Sequence, residues 1–273
     1  MASTLNDSSF LVLDFYSPGC DPCKSMNKTT SELSNELQGQ IKFGRVNGDT
    51  TRKYNITSYP TLLFFDEGIL VNRIEGYSSN SKSDLLADLK KFRPELDTSK
   101  VQLPEDWDNK GNALYDQGKY DEAIQAYDRA TEIDPQYTEA WDDKGNALSN
   151  QGKYELAILA FDKVIELNPE YSMAWNNKGY ALVLQGKYAE AIQAINKSIE
   201  LDPNNADAWD SKGEALRRQG KYEEAIQALD KAIELDPNLA DAWNNKGEAL
   251  KALEKTTEAN DAFAKAKELG YKD

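Results

Sequence analysis

The sequence predicts an α/β domain followed by an all-α helical solenoid, and three observations predict it. All five tryptophans, Trp107, Trp141, Trp175, Trp209 and Trp243, stand 34 residues apart. A fixed period of this size marks stacked copies of one small helical unit. The first hundred residues lack that period and read instead as strand, helix, strand, hairpin and helix, an α/β layer pattern. Both cysteines, Cys20 and Cys23, fall in that first segment. Covalent chemistry therefore belongs to it, because a repeat array offers a long surface and no preformed reaction centre.

Taken in order, residues 10–15 (FLVLDF) form a buried strand, and the loop SPG leads to Cys20-Asp-Pro-Cys23, which opens a helix running to about Leu37. A strand is expected near 41–46, a short helix near 50–54, strands near 61–66 and 69–74, and a helix near 81–92. The α/β domain is thus residues 1–93, and the stretch 94–103 is a short connector. Five units then run 104–137, 138–171, 172–205, 206–239 and 240–273. In the first four, position 4 is Trp, 8 Gly, 11 Leu, 15 Gly, 17 Tyr, 20 Ala, 21 Ile and 32 Pro. Glycine inside a helix costs about 1 kcal/mol against alanine, so its return at Gly111, Gly145, Gly179 and Gly213 implies a neighbouring helix too close for a Cβ. The position-15 glycines end each first helix in a left-handed residue. Pro135, Pro169, Pro203 and Pro237 follow the second helix, which they cannot continue.

Charge is unevenly spread. The net −15 divides into −1 over residues 1–100 and −14 over 101–273. An acidic array repels phosphate backbones and anionic lipid, so neither nucleic acid nor a membrane is the expected partner. No apolar run approaches the roughly 20 residues that span a bilayer, and the segment before Phe15 does not read as a secretory signal. A single CxxC pair is not a disulfide framework for secretion, and the expected compartment is the cytoplasm. Two cysteines without a histidine cannot fill a four-ligand zinc site. No glycine-rich phosphate loop and no catalytic carboxylate pair stands out, and no cofactor or metal is expected.

The repeat, as in AWDDKGNALSNQGKYELAILAFDKVIELNP at 140–169, resembles the tetratricopeptide repeat (TPR), and the likeness covers residues 104–273. Lys110, Lys144, Lys178, Lys212 and Lys246 occupy position 7, where that family often has leucine; the lysine stem can cover the tryptophan while its charge stays in water. The fifth repeat departs with Glu254 for Gly, Thr256 for Tyr and Tyr271 for Pro. Its polar Asn260, Lys265 and Lys267 read as a solvated cap. The resemblance implies a groove lined by the first helices through positions 2, 5, 6, 9, 12 and 13. There lie Asn112, Asn146, Asn177 and many acids, including Asp108, Asp142, Asp143 and Asp210. Family members that grip acidic chaperone tails use lysine or arginine at places that here hold Asp108, Met173 and Asn177, and asparagine where Asn112 and Asp143 stand; only Asn112 fits, so that role is disfavoured. Repeat three places Met173, Tyr180, Val183 and Leu184 on the groove. They read either as packing or self-association, or as an apolar anchor in an acidic groove, suited to a protein or peptide segment mixing apolar and basic residues.

LVLDFYSPGCDPCK followed by YNITSYPTLLFFDEG resembles thioredoxin over about residues 8–93. The resemblance implies a small thioredoxin-like fold; as a departure from the family, only nine residues precede the FLVLDF strand, so the usual first strand and helix are expected to be lacking and one sheet edge uncovered. It implies an active dithiol at Cys20 and Cys23, a buried acid at Asp14 and a cis-proline at Pro60. It also puts Arg45 near the acid, where the family has a lysine, and Tyr59, Thr61 and Gly76 on the substrate surface. Cys20 at a helix N-terminus is favoured as thiolate. It attacks a substrate disulfide, and Cys23 resolves the mixed disulfide. Asp14, desolvated on a strand, either accepts the Cys23 proton or is a tolerated buried acid; Arg45, if close, opposes the rise of its pKa. With no histidine between the cysteines and with the negative Asp21 there, the potential is expected nearer thioredoxin's, about −270 mV, than that of oxidants at about −120 mV. The implied activity is disulfide reduction with an external thiol reductant, the array concentrating substrates. The alternative is a non-enzymatic adaptor with idle cysteines.

Overall fold

The computed structural model describes residues 10–17, 20–37, 40–47, 58–66, 69–75, 82–94, 96–98 and 100–272. It divides into two units, 1–103 and 104–273.

The first unit holds β1 (Phe10–Tyr16), α1 (Asp21–Glu36), β2 (Ile41–Asn47), β3 (Thr61–Asp66), β4 (Ile69–Glu75) and α2 (Lys82–Phe92). The expected short helix near 50–54 lies outside the described residues. Among those described, the sheet order is β2-β1-β3-β4, with β1 parallel to β2 and antiparallel to β3. Alternation along β1 sends Phe10 and Val12 to a core shared with Met26 and Leu33 of α1, Leu37 at its C-cap, and Leu85 and Leu89 of α2. Phe15 points to the other face, with Leu63 and Phe65. By the same alternation Asp14 faces the helix-covered side, a carboxylate where the strand otherwise buries hydrocarbon. Lys82, itself buried, ties α2 to α1 through Glu36 at 2.6 Å. In the segment 94–103, Leu96 and Val101 join this core. Asp97 exchanges two hydrogen bonds with the Gln40 side chain, at 2.8 and 3.0 Å.

The second unit is five helix pairs: α3 (Pro104–Tyr115) with α4 (Tyr120–Ile133), α5 (Thr138–Asn150) with α6 (Tyr154–Leu167), α7 (Ser172–Leu184) with α8 (Tyr188–Leu201), α9 (Ala206–Arg218) with α10 (Tyr222–Leu235), and α11 (Ala240–Ala252) with α12 (Thr256–Glu268). The repeated residues now have partners. A Cβ on Gly145 would stand 2.5 Å from the Phe161 ring, and the other position-8 glycines meet Tyr127, Ile195, Leu229 and Phe263 in the same way. Each tryptophan from Trp141 onward donates its ring N–H to the proline carbonyl six residues earlier, as Trp141 does to Pro135 at 3.1 Å. The position-7 lysines do more than cover the ring. Their ammonium groups stand 4.5–5.7 Å from the tryptophan centroids, and Lys144 also reaches Asp128 of the preceding repeat at 2.6 Å. Glu254 keeps the turn of the fifth repeat at φ 60°, where the other repeats use glycine.

Candidate functional site

The dithiol sits where β1 ends and α1 begins. Cys20 is the N-cap of α1 in extended conformation, and its Sγ accepts the Cys23 backbone N–H at 3.2 Å. A sulfur thus does the work that a serine or aspartate oxygen does at an ordinary cap, in the positive field of the helix end. Cys20 and Cys23 are joined as a disulfide; Cys20 is half-buried and Cys23 fully buried. The Tyr59–Pro60 peptide is cis. Phe15 pairs with Thr61 across the sheet, so the end of β1 and the Tyr59–Pro60 bend before β3 occupy the same end of the sheet. Thr61 is buried and donates its hydroxyl to the Ser58 carbonyl at 2.6 Å, which leaves its side chain no part in contacting a substrate. Gly76 lies outside the described residues.

Asp14 is 2% exposed, and neither carboxylate oxygen receives a well-formed hydrogen bond among the described residues. Burial pushes its pKa up to about 6 against the pull of Arg45, whose Nε stands 3.5 Å from Oδ2. The opposition expected of Arg45 is therefore present, and burial is the larger effect. Sequence reasoning missed two further contacts of Arg45. Its Nη2 donates to the Cys23 carbonyl at 3.0 Å, and its guanidinium stacks on Tyr16 at 3.9 Å. One side chain thus links the acid to the second cysteine. A recess of about 270 Å³ lined by Asn27, Thr30, Ser31 and Ser34 opens beside Asp14 and Arg45.

Along the array groove, an acid at position 5 is met by position 6 of the next repeat. Asn177 donates to Asp142 and Asn245 to Asp210, at 3.4 and 3.0 Å. Asn177 also reaches Asn146 at 3.4 Å, and Asn112 accepts the Tyr127 hydroxyl at 2.7 Å. Asp108 breaks the series, because position 6 of the second repeat is Asp143. Burial, with the charges of Asp143, Glu139 and Glu105, pushes the Asp108 pKa up to about 6, and Asp108 Oδ1 has no donor. Burial likewise lifts Asp142 to about 6 and Asp210 to about 7. Met173 and Tyr180 are 48% and 39% exposed, and Leu184 is half-buried. Val183 corrects its sequence assignment: it is 1% exposed, packed with Leu182, Ala191 and Ile195, and presents nothing to a partner. Position 12 falls between groove and core, and in this repeat the branched side chain turned inward. Tyr180 lines a recess of about 460 Å³ with Asp207, Asp210, Glu214 and Asp241, rimmed by Arg217 and Arg218.

No helix among the described residues is long and apolar enough to cross a membrane. The thioredoxin family model matches residues 2–91, and tetratricopeptide-repeat models match 111–152, 143–206, 194–227, 213–253 and 240–269. Thioredoxin C-2 of Corynebacterium nephridii is 36% identical over 85 residues, 30% of this chain and 79% of that protein. A Synechocystis thioredoxin is 34% identical over 91 residues, 32% of this chain and 83% of the relative. Among solved structures, MamA from Desulfovibrio magneticus superposes with a TM-score of 0.53 at 26% identity, covering 61% of this chain and 94% of that one. By its first hundred residues the chain belongs to the thioredoxin family, and it continues as an array of tetratricopeptide repeats.

Proposed function

We propose that the protein is a thiol–disulfide oxidoreductase of the reductase type whose repeat array holds its protein partners or substrates. The observation that carries this reading is the Cys20 sulfur capping α1, a position that favours thiolate over thiol. In the reduced protein, Cys20 thiolate attacks one sulfur of a substrate disulfide, forming a mixed disulfide and releasing the other sulfur as thiolate. Cys23, deprotonated, attacks the Cys20 sulfur and expels the second substrate thiolate, leaving the Cys20–Cys23 disulfide. Two electrons have passed to the substrate, and an external thiol reductant restores them. Asp14 takes the Cys23 proton; a pKa near 6 suits a base working close to neutral pH. The hydroxyl- and amide-lined recess beside it lets that proton leave to water. Pro60 and the backbone of Tyr59 and Thr61 position an extended substrate segment by strand-like pairing, and a reducing compartment such as the cytoplasm fits the direction of the chemistry.

The groove takes a basic and apolar segment of a protein. Its like-charged pair, buried Asp108 and half-buried Asp143, gains from an arriving ammonium or guanidinium, and Asp210 offers the same in the recess beside Tyr180. Met173, Tyr180 and Leu184 supply apolar contacts, and the asparagines 112, 146 and 177 supply amides. A Cys23→Ser variant tests the scheme, since it should accumulate mixed disulfides through Cys20 that thiol reductant dissolves. No such adduct, or one that persists when Cys20 is also serine, would count against it and favour an adaptor with idle cysteines.

A further inference from the structure

From the second repeat onward, each tryptophan shares a hydrophobic cluster with an isoleucine from the second helix of the repeat before it. Trp141 clusters with Ile124, Trp175 with Ile158, Trp209 with Ile192 and Trp243 with Ile226. Four residues after that isoleucine, three of the four helices carry an aspartate that accepts the position-7 lysine. The pairs are Lys144–Asp128 at 2.6 Å, Lys178–Asp162 at 2.6 Å and Lys246–Asp230 at 2.5 Å. Three of the four junctions thus follow one rule: Trp and Lys, three apart on the first helix, meet Ile and Asp, one turn apart, from the helix before; at the Trp209 junction Asn196 stands where the aspartate would be.

Trp107 and Lys110 carry the receiving half of this rule, yet α3 is the first helix of the array and no repeat precedes it. Lys110 Nζ lies 4.5 Å from the Trp107 centroid, with Arg129 at 5.9 Å from the same ring. Among the described residues no carboxylate pairs with Lys110. Trp107, Lys110, Leu114 and Arg129, with the acids Glu122 and Asp128, are among the residues lining an opening of about 620 Å³.

We propose that this end of the array binds an amphipathic helix of a partner protein, one that lays an isoleucine-like side chain on Trp107 and, one turn later, a carboxylate on Lys110. The array itself supplies the template, repeated at its internal junctions. The opening carries acids as well, but Asp128 is taken by Lys144 and Arg129 by Glu132; Lys110 is the cation left without a carboxylate among the described residues, so the partner helix brings an acid there where the groove's partner brings a base. A second copy of this chain is the poorer occupant. Its terminal helix α12 has Asn260 and Ala264 at the places of the isoleucine and the aspartate, and so lacks both groups. This surface is independent of the dithiol chemistry.

The test uses the full chain and a labelled, side-chain-stapled peptide copying residues 221–236, which holds Ile226 and Asp230 at the required spacing; the staple offsets the weak helicity of short peptides. Fluorescence anisotropy should show saturable binding that Lys110→Glu weakens about tenfold, the scale of one lost charged contact. A peptide carrying Asp230→Lys should be refused by the wild type and accepted by Lys110→Glu. Lys110 is exposed, and circular dichroism confirms that its variant keeps the helices. No binding to the wild type, or equal binding by Lys110→Glu, overturns the proposal. Concentration-dependent dimers in sedimentation that Lys110→Glu dissolves also overturn it, because the occupant would then be a second copy.

Discussion

Asp108 offers a substitution whose effect should change with pH. It is 5% exposed, and its counterpart across the junction is Asp143, whereas Asp142 and Asp210 each meet an asparagine. Burial and like charge move its pKa from 3.8 to about 6. Two units at 1.36 kcal/mol each set a ceiling of about 3 kcal/mol on the cost of holding it ionised in the folded state, of which relaxation leaves about 1–2 kcal/mol. Because the folded pKa is raised, the native state holds a proton the unfolded chain has lost between about pH 4 and 6, and stability falls as pH rises through that window. Asp108→Asn should therefore stabilise the array by about 1–2 kcal/mol at pH 8, with the gain halved near pH 5 and gone near pH 4. All five tryptophans lie in the array, so urea unfolding followed by tryptophan fluorescence reports on it alone. A neutral or destabilising effect at pH 8, or a gain that ignores pH, would refute the reasoning.

Arg45→Gln removes the charge that holds the Asp14 pKa down. Asp14 should then titrate about 1 unit higher, and the pH profile of disulfide reduction should move up with it; an unmoved profile contradicts Asp14 as proton acceptor. Gly145→Ala drives a methyl to 2.5 Å from the Phe161 ring and should cost about 1–3 kcal/mol in urea unfolding. Glu254→Gly relieves a side chain at φ 60° and should raise array stability by about 0.5–1 kcal/mol, where a loss would show that the Glu254 side chain contributes a contact of its own.

The array was legible because its signals are local and repeated. The 34-residue period, the mid-helix glycines and the following prolines each imply a backbone event within one repeat. What those glycines face was not legible, since Tyr127, Phe161 and Ile195 come from the other helix and share only bulk. Val183 went to the core because helical position alone cannot say which way a side chain at the edge of a face will turn. In the first unit, Cys20, Cys23, Asp14 and Pro60 stood out by motif and spacing. Arg45 bridging Asp14 and the Cys23 carbonyl depends on the parallel pairing of Asp14 with Arg45, strands separated by a whole helix in the chain. Tyr16 as the floor under that guanidinium carries no signal in sequence at all.

Reduction of insulin disulfides by the full chain with dithiothreitol as electron source tests the nucleophilic role of Cys20 most directly. The wild type should accelerate precipitation of the insulin chains over dithiothreitol alone, and Cys20→Ser should fall to that background. A Cys20→Ser protein as active as the wild type, or a wild type no faster than background, would contradict the account.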